Sequence, residues 1–198
     1  MLEAISVSKS FEGKPVLQNV NLAVSGTVAI MAPSGSGKTT LLRILLGLLA
    51  PDAGEVRTGG ARVGAVFQED RLIEHMTALQ NLALVAGKAS RAQLKEHLAL
   101  LGLEVEAEKR VSAFSGGMRR RVAIARAIVY QPDALLLDEP FTGLDEEMRE
   151  RTAQYILAHM RGKDMAIVTH DKEEARLLGA QRIFTLPGLI AGNPSVSQ

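Results

Sequence analysis

The hydrophobic pattern of this chain alternates between short apolar runs and segments with helical spacing. The apolar runs predict strands at residues 2–7, 16–24, 27–31, 55–57, 62–67, 134–137, 165–169 and 182–186. Residues 134–137 are apolar at every position, which is typical of a strand that is buried on both faces. A turn over residues 12–15, with the sequence Glu-Gly-Lys-Pro, adjoins the second strand.

Helical spacing predicts much of the remainder. The predicted helices are 41–46, ended by Pro-Asp-Ala-Gly at 51–54, a helical stretch over 70–113, and 115–130, 146–161 and 172–178. In the helical stretch, one face carries Leu79, Leu82 and Val85, and another carries Leu94, Leu98 and Leu101. Strands that alternate with helices favour an α/β fold with a mostly parallel sheet covered on both sides. We expect the tail after residue 187 to be loosely ordered.

Composition narrows the class of protein. The 198 residues, 46% of them hydrophobic, suffice for one substantial core. With 23 Lys and Arg against 22 Asp and Glu, the net charge of +1 argues against a nucleic-acid partner. The absence of cysteine excludes disulfides and thiolate chemistry and fits a cytoplasmic protein. The first residues lack the pattern of a secretory leader, and the longest apolar run is shorter than the ~20 residues that cross a bilayer, so we expect a soluble protein.

A phosphate-binding loop is predicted at residues 32–40, Ala-Pro-Ser-Gly-Ser-Gly-Lys-Thr-Thr, between a strand and a helix. Gly35 and Gly37 let the backbone approach phosphate oxygens closely, and the helix that follows presents the positive end of its dipole. Lys38 supplies a charge for the terminal phosphates, and Thr39 a hydroxyl for Mg²⁺. The pattern usually begins with glycine, and Ala32 is compatible with it if its φ stays negative. The loop therefore predicts a nucleoside triphosphate site.

Two acids follow the buried strand at 134–137. In an open α/β sheet, the carboxyl ends of the strands form the edge where ligands bind. Asp138 is suited to hold hydrated Mg²⁺, and Glu139 to polarise an attacking water. Without the loop upstream, the same residues would equally fit a plain acidic turn.

A Ser-Gly-Gly segment then opens a helix. Residues 114–127 read Phe-Ser-Gly-Gly-Met-Arg-Arg-Arg-Val-Ala-Ile-Ala-Arg-Ala, which resembles the signature of ATP-binding-cassette (ABC) ATPases, usually Leu-Ser-Gly-Gly-Gln. Further elements resemble the family in the expected order, namely Phe11, Gln68, the loop Gly143-Leu144-Asp145 and His170. The resemblance covers nearly the whole chain.

The resemblance implies a P-loop NTPase core with an N-terminal antiparallel β-subdomain, residues 1–69 and 116–198, and an inserted helical subdomain, residues 70–115. It implies that ATP is bound by Phe11, Ala32, Pro33, Ser34, Gly35, Ser36, Gly37, Lys38, Thr39 and Thr40, and from an opposing subunit by Ser115, Gly116 and Gly117. Mg²⁺ would be held by Thr39, Gln68 and Asp138. The implied catalytic residues are Glu139, His170, Gln68 and Lys38.

The resemblance also implies a role. Two copies would close on ATP as a homodimer and drive integral membrane permease subunits, with the cassette on the inner face of the cell membrane. Residues 66–72 and 77–82 resemble cassettes of the nitrate, sulfonate and taurine uptake group, which favours an importer. The resemblance also allows an extracytoplasmic solute-binding protein as a further partner. The alternatives are the ATPase of an exporter or lipid-handling complex, and a soluble or regulatory ATP switch.

Several of these residues also have purely structural interpretations. Phe11 could fill a small β-subdomain, Gln68 could be an exposed residue at a strand end, and His170 could be a buried, hydrogen-bonded histidine. Asp145 could simply cap the following helix. We interpret the arginines at 119–121 as a solvated helix face with some salt bridges. Met118 in place of glutamine, and Phe114 in place of leucine, should at most retune activity.

Overall fold

The computed structural model describes residues 2–33 and 35–186. Ser34 and the tail therefore lie outside the described residues, as do the predictions made for them. The strands are β1 Leu2–Phe11, β2 Lys14–Val24, β3 Thr27–Met31, β4 Ala53–Arg57, β5 Val63–Val66, β6 Ala134–Asp138, β7 Asp164–Thr169 and β8 Arg182–Thr185. The helices are α1 Lys38–Leu45, α2 Ala78–Ala83, α3 Arg91–Leu100, α4 Gly116–Val129, α5 Glu146–His159 and α6 Lys172–Leu177, with a 3₁₀ turn at Val111–Ala113.

A five-stranded parallel sheet forms the centre of the fold, in the order β5-β6-β7-β3-β8. Alternate residues of β6 point to opposite faces. Leu135 and Leu137 belong to the core beneath α4 and α5, whereas Leu136 belongs to the core that contains α1. This arrangement explains the continuous apolar run and confirms the predicted sheet covered on both sides.

A second, antiparallel sheet in the order β2-β1-β4 packs on the α1 side of the parallel sheet. It confirms the predicted N-terminal β-subdomain. The sequence pattern indicated a strand near residue 55 without showing its partner, and the structure pairs it with β1, Val56 lying opposite Ala4. The consecutive strands β4 and β5 therefore belong to different sheets, because β4 joins the antiparallel sheet and β5 the parallel one.

The helical predictions need two corrections. The stretch 70–113 is not continuously helical, because it contains only α2, α3 and one 3₁₀ turn, with Gly87 and Gly102 at φ values of 56° and 69°. Helix α1 ends at Leu45 and not at 51–54, and Gly47, at a φ of 68°, follows its end. The predicted apolar faces are otherwise confirmed, since the five leucines at 79, 82, 94, 98 and 101 are buried, while Val85 lies outside α2 and is half-buried.

The helical segment shares one hydrophobic core with the parallel sheet. Leu82 and Leu98 belong to the same buried cluster as Leu137 and Ile167. The boundaries at residues 70 and 115 remain a prediction. Among the described residues, no helix has both the length and the apolar character needed to span a membrane.

Candidate nucleotide-binding site

The phosphate loop joins β3 to α1 with two glycines in the left-handed region. Gly35 has a φ of 78° and Gly37 a φ of 92°. A Cβ atom on Gly37 would also lie 2.9 Å from Val16 Cγ1, so this position excludes a side chain on two grounds. Because Gly37 is the N-cap of α1 and offers no side chain, the first N–H groups of the helix are not capped by one. These groups suit an anion.

Polar groups of the loop turn inward. Lys38 Nζ donates to the carbonyl of Ala32 at 2.9 Å and to that of Pro33 at 3.4 Å. Ser36 Oγ also donates to the Pro33 carbonyl, at 2.7 Å. Ala32 is buried and its φ is not positive, so the condition under which alanine is compatible with the loop is met. The lysine ammonium is thus held over the loop, where a phosphate can take the place of the carbonyls.

A cavity of about 400 Å³ opens above this loop. It brings together seven of the predicted site residues and one that was not predicted, and its lining consists of Val16, Gly35, Gly37, Lys38, Thr39, Thr40, Gln68 and Glu139. Thr39 and Gln68 also line a smaller adjoining space of about 70 Å³, together with Asp138. The two spaces place the phosphate loop, the acids and Gln68 at one edge of the sheet.

Asp138 ends β6 and is almost completely buried. Its Oδ2 atom has no hydrogen-bond partner, and burial and the Glu139 carboxylate raise its pKa, against a hydrogen bond from Thr39 and the charges of Lys38 and Arg120. An unpartnered carboxylate oxygen next to a hydroxyl and an amide is the kind of oxygen donor set that Mg²⁺ prefers. The residues present therefore fit the implied magnesium ion.

Glu139 follows in a constrained conformation. Its φ is 49°, a left-handed value unusual for a residue with a side chain, and its N–H donates to the Val168 carbonyl at 2.8 Å. Its Oε1 lies 3.0 Å from His170 Nδ1 and 3.8 Å from Lys38 Nζ. The His170 side chain is 75% exposed, and the hydrogen bond and charge of Glu139 raise its pKa. His170 is therefore not the buried structural histidine that was the alternative.

The Ser-Gly-Gly segment lies apart from the cavity of its own chain. Ser115 caps α4, its Oγ accepting from the Met118 N–H at 3.3 Å, and Ser115 and Gly116 are exposed. A Cβ on Gly117 would lie only 2.7 Å from the Gly143 carbonyl oxygen. The segment therefore touches the loop after the acids and presents its serine to solvent.

Other predicted residues take varied places. Phe11 ends β1, is 46% exposed and does not line the cavity. Asp145 accepts from the Met148 N–H at 2.9 Å and so is the helix cap that the structural interpretation expected. Met118 packs against the hydrophobic core, which explains an apolar residue at that position.

The interpretation of residues 119–121 as a solvated face is wrong for Arg120, which is only 3% exposed. Arg120 donates to the carbonyls of Phe67 and Gln68, and its neighbours donate to the carbonyls of Phe114 and Leu101. The helical period could have revealed this, because position 120 shares a face with the buried positions 123, 124, 127 and 128.

Comparison with known proteins decides the family. The family model described as "ABC transporter" matches residues 17–142. The chain belongs to the ABC transporter family. As an ABC cassette it is an ATPase and binds ATP.

Individual relatives agree with this assignment. The cassette is 38% identical over 200 residues to the taurine import ATP-binding protein TauB of Pseudomonas aeruginosa, covering 91% of this chain and 76% of that protein. It is 40% identical over 198 residues to the sulfate/thiosulfate import ATP-binding protein CysA of Bradyrhizobium diazoefficiens, covering 88% of this chain and 58% of that protein. The resemblance to the taurine uptake group is therefore confirmed.

A solved structure shares the fold. The dimeric structure of a post-hydrolysis state of the ATP-binding cassette MJ0796, bound to ADP and Pi, superposes with a TM-score of 0.84 at 33% identity, covering 93% of this chain and 94% of that one. This likeness confirms the predicted P-loop NTPase fold.

Proposed function

We propose that this cassette is the ATP-hydrolysing subunit of a membrane importer and that it works as a homodimer which closes on ATP and opens after hydrolysis. One observation supports the proposed dimer. Ser115 and Gly116 are exposed at the N-terminus of α4 and do not line the cavity of their own chain. Helix N-termini attract phosphate. A second copy can bring this N-terminus over the open cavity, and the dimeric state of the MJ0796 cassette supports the arrangement.

In the proposed closed dimer, each predicted site residue has a role. The first N–H groups of α1, the loop at 32–37 and Lys38 bind the phosphates, and Phe11 stacks on the adenine. Ser115, Gly116 and Gly117 of the second copy contact the terminal phosphate. Because this phosphate bridges two surfaces, its loss weakens their association and lets the dimer open.

The divalent ion would be held by Thr39, Gln68 and Asp138. When bound, Mg²⁺ neutralises charge on the phosphate oxygens and so favours attack by water. The unpartnered Oδ2 of Asp138 is the observation that supports this role.

Glu139 orients the attacking water and accepts a proton from it. The 3.0 Å distance to His170 Nδ1 shows that the carboxylate already has a partner on the solvent side. His170 can therefore move between Glu139 and a terminal phosphate, which links the base to the presence of ATP.

The importer role rests on the names of the relatives. The taurine and the sulfate relatives match this chain at 38% and 40% identity, so identity does not select a cargo. We propose that cargo is chosen by permease subunits in the membrane, with an extracytoplasmic solute-binding protein, and that the cassette is held by the permease on the inner face.

Glu139→Gln tests the dimer. The change keeps the size of the side chain and removes the base, so ATP should bind and remain unhydrolysed. We expect light scattering on a sizing column to show a dimer with Mg²⁺ and ATP and a monomer without nucleotide. Adding Ser115→Trp to this variant should leave ATP binding intact and prevent dimerisation, because a large side chain would separate the two surfaces. A monomer under all conditions would contradict the proposal.

Co-purification from detergent-solubilised native membranes tests the partner. We expect the tagged cassette to retain a multi-spanning protein, and a solute-binding protein encoded with it would support import. A partner typical of export or lipid handling would favour the first alternative. Recovery of soluble partners alone, from membranes in which other transporters stay intact, would favour a soluble ATP switch.

A further inference from the structure

Arg120 lies in the interior, although it belongs to a run of three arginines. It is in the second turn of α4, five residues after Ser115, and only 3% of it is exposed. A buried arginine is rare unless its donors find partners. The hydrogen-bond and ion-pair partners of Arg120 lie in the short segment that follows β5.

The guanidinium group of Arg120 forms hydrogen bonds to the backbone of that segment. One terminal nitrogen donates to the Phe67 carbonyl, and the other donates to the Gln68 carbonyl at 2.6 Å. The Asp70 Oδ1 atom lies 3.3 Å from Arg120 Nη1. One turn and a half further along α4, Arg126 donates to the carbonyls of Asp70 at 3.1 Å and Arg71 at 2.8 Å. The backbone of residues 67–71 is thus fastened to α4.

This segment carries a side chain of the candidate site. Gln68 lines both the main cavity and the smaller space beside Asp138. The helix that fixes its backbone begins with Ser115, whose proposed contact is with ATP bound by a second copy. Five residues of helix separate Ser115 from Arg120, a rise of about 7.5 Å. One rigid element therefore joins the phosphate contact of one site to the glutamine of the other.

We propose that Arg120 is a positioning residue for ATP hydrolysis, which fixes Gln68 to the helix that bears Ser115. The inference rests on the proposed function of Gln68 in the nucleotide site. Through two hydrogen bonds to successive carbonyls, the planar guanidinium fixes both the position and the orientation of the segment. A lysine at this place could keep the charge and could not hold both carbonyls in the same geometry.

The contacts of Arg120 point to a role beyond stability. Removing one partner of a buried ion pair destabilises a fold, so Arg120 also contributes to stability. Its hydrogen bonds to two backbone carbonyls beside the site fix a segment between β5 and α2 that has no regular secondary structure of its own.

The test uses Arg120→Gln and a control elsewhere in the molecule that makes the same kind of contact at an exposed position. Arg151 of α5 likewise donates to two successive carbonyls, those of Leu100 and Ala99, each at 2.7 Å, and it lines neither the main cavity nor the space beside Asp138. We expect Arg120→Gln to lower kcat by about ten-fold or more and to change the KM for ATP by no more than about two-fold, because positioning and not binding is lost. Arg151→Gln should keep kcat within about two-fold.

A double-mutant cycle with Gln68→Ala then shows whether Arg120 acts through Gln68. If it does, Arg120→Gln should change kcat by less than about two-fold once Gln68 is gone, because residues that act as a unit are not additive. Effects that multiply would show an independent, merely structural contribution and would overturn the proposal. Recovery of the full rate by Arg120→Lys would also overturn it, because charge alone would then suffice.

A measurement without ATP keeps the inference separate from the proposed function. Trypsin cleavage after Arg71, identified by mass spectrometry, reports how firmly the segment is held. We expect it to be faster in Arg120→Gln than in wild type and unchanged in Arg151→Gln. An unchanged rate in Arg120→Gln would contradict the inference, even if hydrolysis were affected. If Gln68→Ala hydrolyses ATP at the wild-type rate, it is the proposed role of Gln68 that fails.

Discussion

The carboxylates at the amino ends and at the carboxyl ends of the parallel strands are in opposite environments. We call these two ends the amino edge and the carboxyl edge. At the amino edge, Asp133 accepts from the backbone N–H of Arg62 at 2.8 Å, and Asp164 accepts from that of Gly26 at 2.9 Å. At the carboxyl edge, Asp138 has a buried oxygen without a partner. The first edge uses carboxylates to join neighbouring segments, and the second keeps its carboxylate available.

The contrast is clearest along β6, because one aspartate precedes this strand and another ends it. Hydrogen bonds from Arg62 hold the pKa of Asp133 below its ordinary value, whereas burial and the adjacent Glu139 raise the pKa of Asp138. Buried polar atoms are normally paired, and an unpaired one costs stability. The unpaired oxygen of Asp138 therefore lowers the stability of the protein without ligand, and a bound ligand can supply the missing partner.

The largest expected difference between the edges is in catalysis. Glu139→Gln should lower kcat by about a hundred-fold or more, because a positioned general base contributes that much. Asp164→Asn at the opposite edge should leave kcat within about two-fold, since it touches no part of the cavity. Steady-state phosphate release measures both variants. Similar losses in the two variants would remove the functional distinction between the edges.

The next difference concerns the two glycines that flank β3. Gly26 and Gly37 both have positive φ, so alanine at either should cost about 1–2 kcal/mol of unfolding free energy. A Cβ at Gly26 would meet only the end of the flexible Gln181 side chain, at 3.0 Å. At Gly37 it would press on Val16 within the cavity wall, so we expect nucleotide affinity to fall about ten-fold there, equivalent to about 1.4 kcal/mol.

Calorimetric titration with ADP and thermal unfolding check this pair. Gly26→Ala should bind ADP normally although it unfolds at a lower temperature. Loss of ADP affinity in Gly26→Ala, at an intact fold, would show that the amino edge also shapes the loop.

Stability should respond with opposite signs at the two ends of β6. Asp138→Asn should stabilise the protein without nucleotide by about 1 kcal/mol at neutral pH, because it removes a buried charge with one unpartnered oxygen. Since the folded pKa of Asp138 is raised, this gain is full above that pKa and disappears as the pH falls below the ordinary value of about 4. Asp133→Asn should destabilise, and because the folded pKa is lowered, that loss should persist to lower pH.

Denaturant unfolding from neutral pH to well below about pH 4 tests both signs and their pH dependence. The two variants share residue type and substitution, whereas Asp138 is buried and Asp133 is exposed. Destabilisation by Asp138→Asn at neutral pH would show that the apparent free oxygen is compensated in solution.

The smallest expected effect is the pH dependence of the pair His170 and Glu139. Glu139 raises the folded pKa of His170, so the pair stabilises fully below the ordinary histidine pKa, about 6.5, and this stabilisation is lost as the pH rises through the folded pKa. Exposure keeps the contribution small. An NMR titration of His170 should show its pKa falling in Glu139→Gln, and an unchanged value would mean that the contact is not populated.

The residues at the ligand-binding edge of the sheet could be predicted from the sequence more fully than the packing around them. The loop at 32–40 and the acids at 138 and 139 have a spacing that only a strand, a tight turn and a helix can place, so chemistry and fold were predicted together. The roles of individual site residues remain predictions, and the distances among Lys38, Glu139 and His170 support them.

The errors have physical causes, and two of them left signals in the sequence. Thr77 with Gln80, and Ser90 with Gln93, form capping boxes that mark two separate helix starts inside the stretch predicted as continuously helical. The helical period places Arg120 on the buried face of α4, although its charge favours an exposed position. The carbonyls that Arg120 contacts depend on how β5 packs against α4. This contact joins residues far apart in the sequence, so the local pattern does not predict it.

The close approach of Gly117 to the carbonyl of Gly143 constrains how this chain can evolve. A lost ion pair can be rebuilt with other residues, and a cavity can be refilled. A space of 2.7 Å between a carbonyl oxygen and a would-be Cβ offers no such repair, because the nearest obstacle is a backbone atom. We therefore expect any residue other than glycine at position 117 to require a shift of the backbone at Gly143.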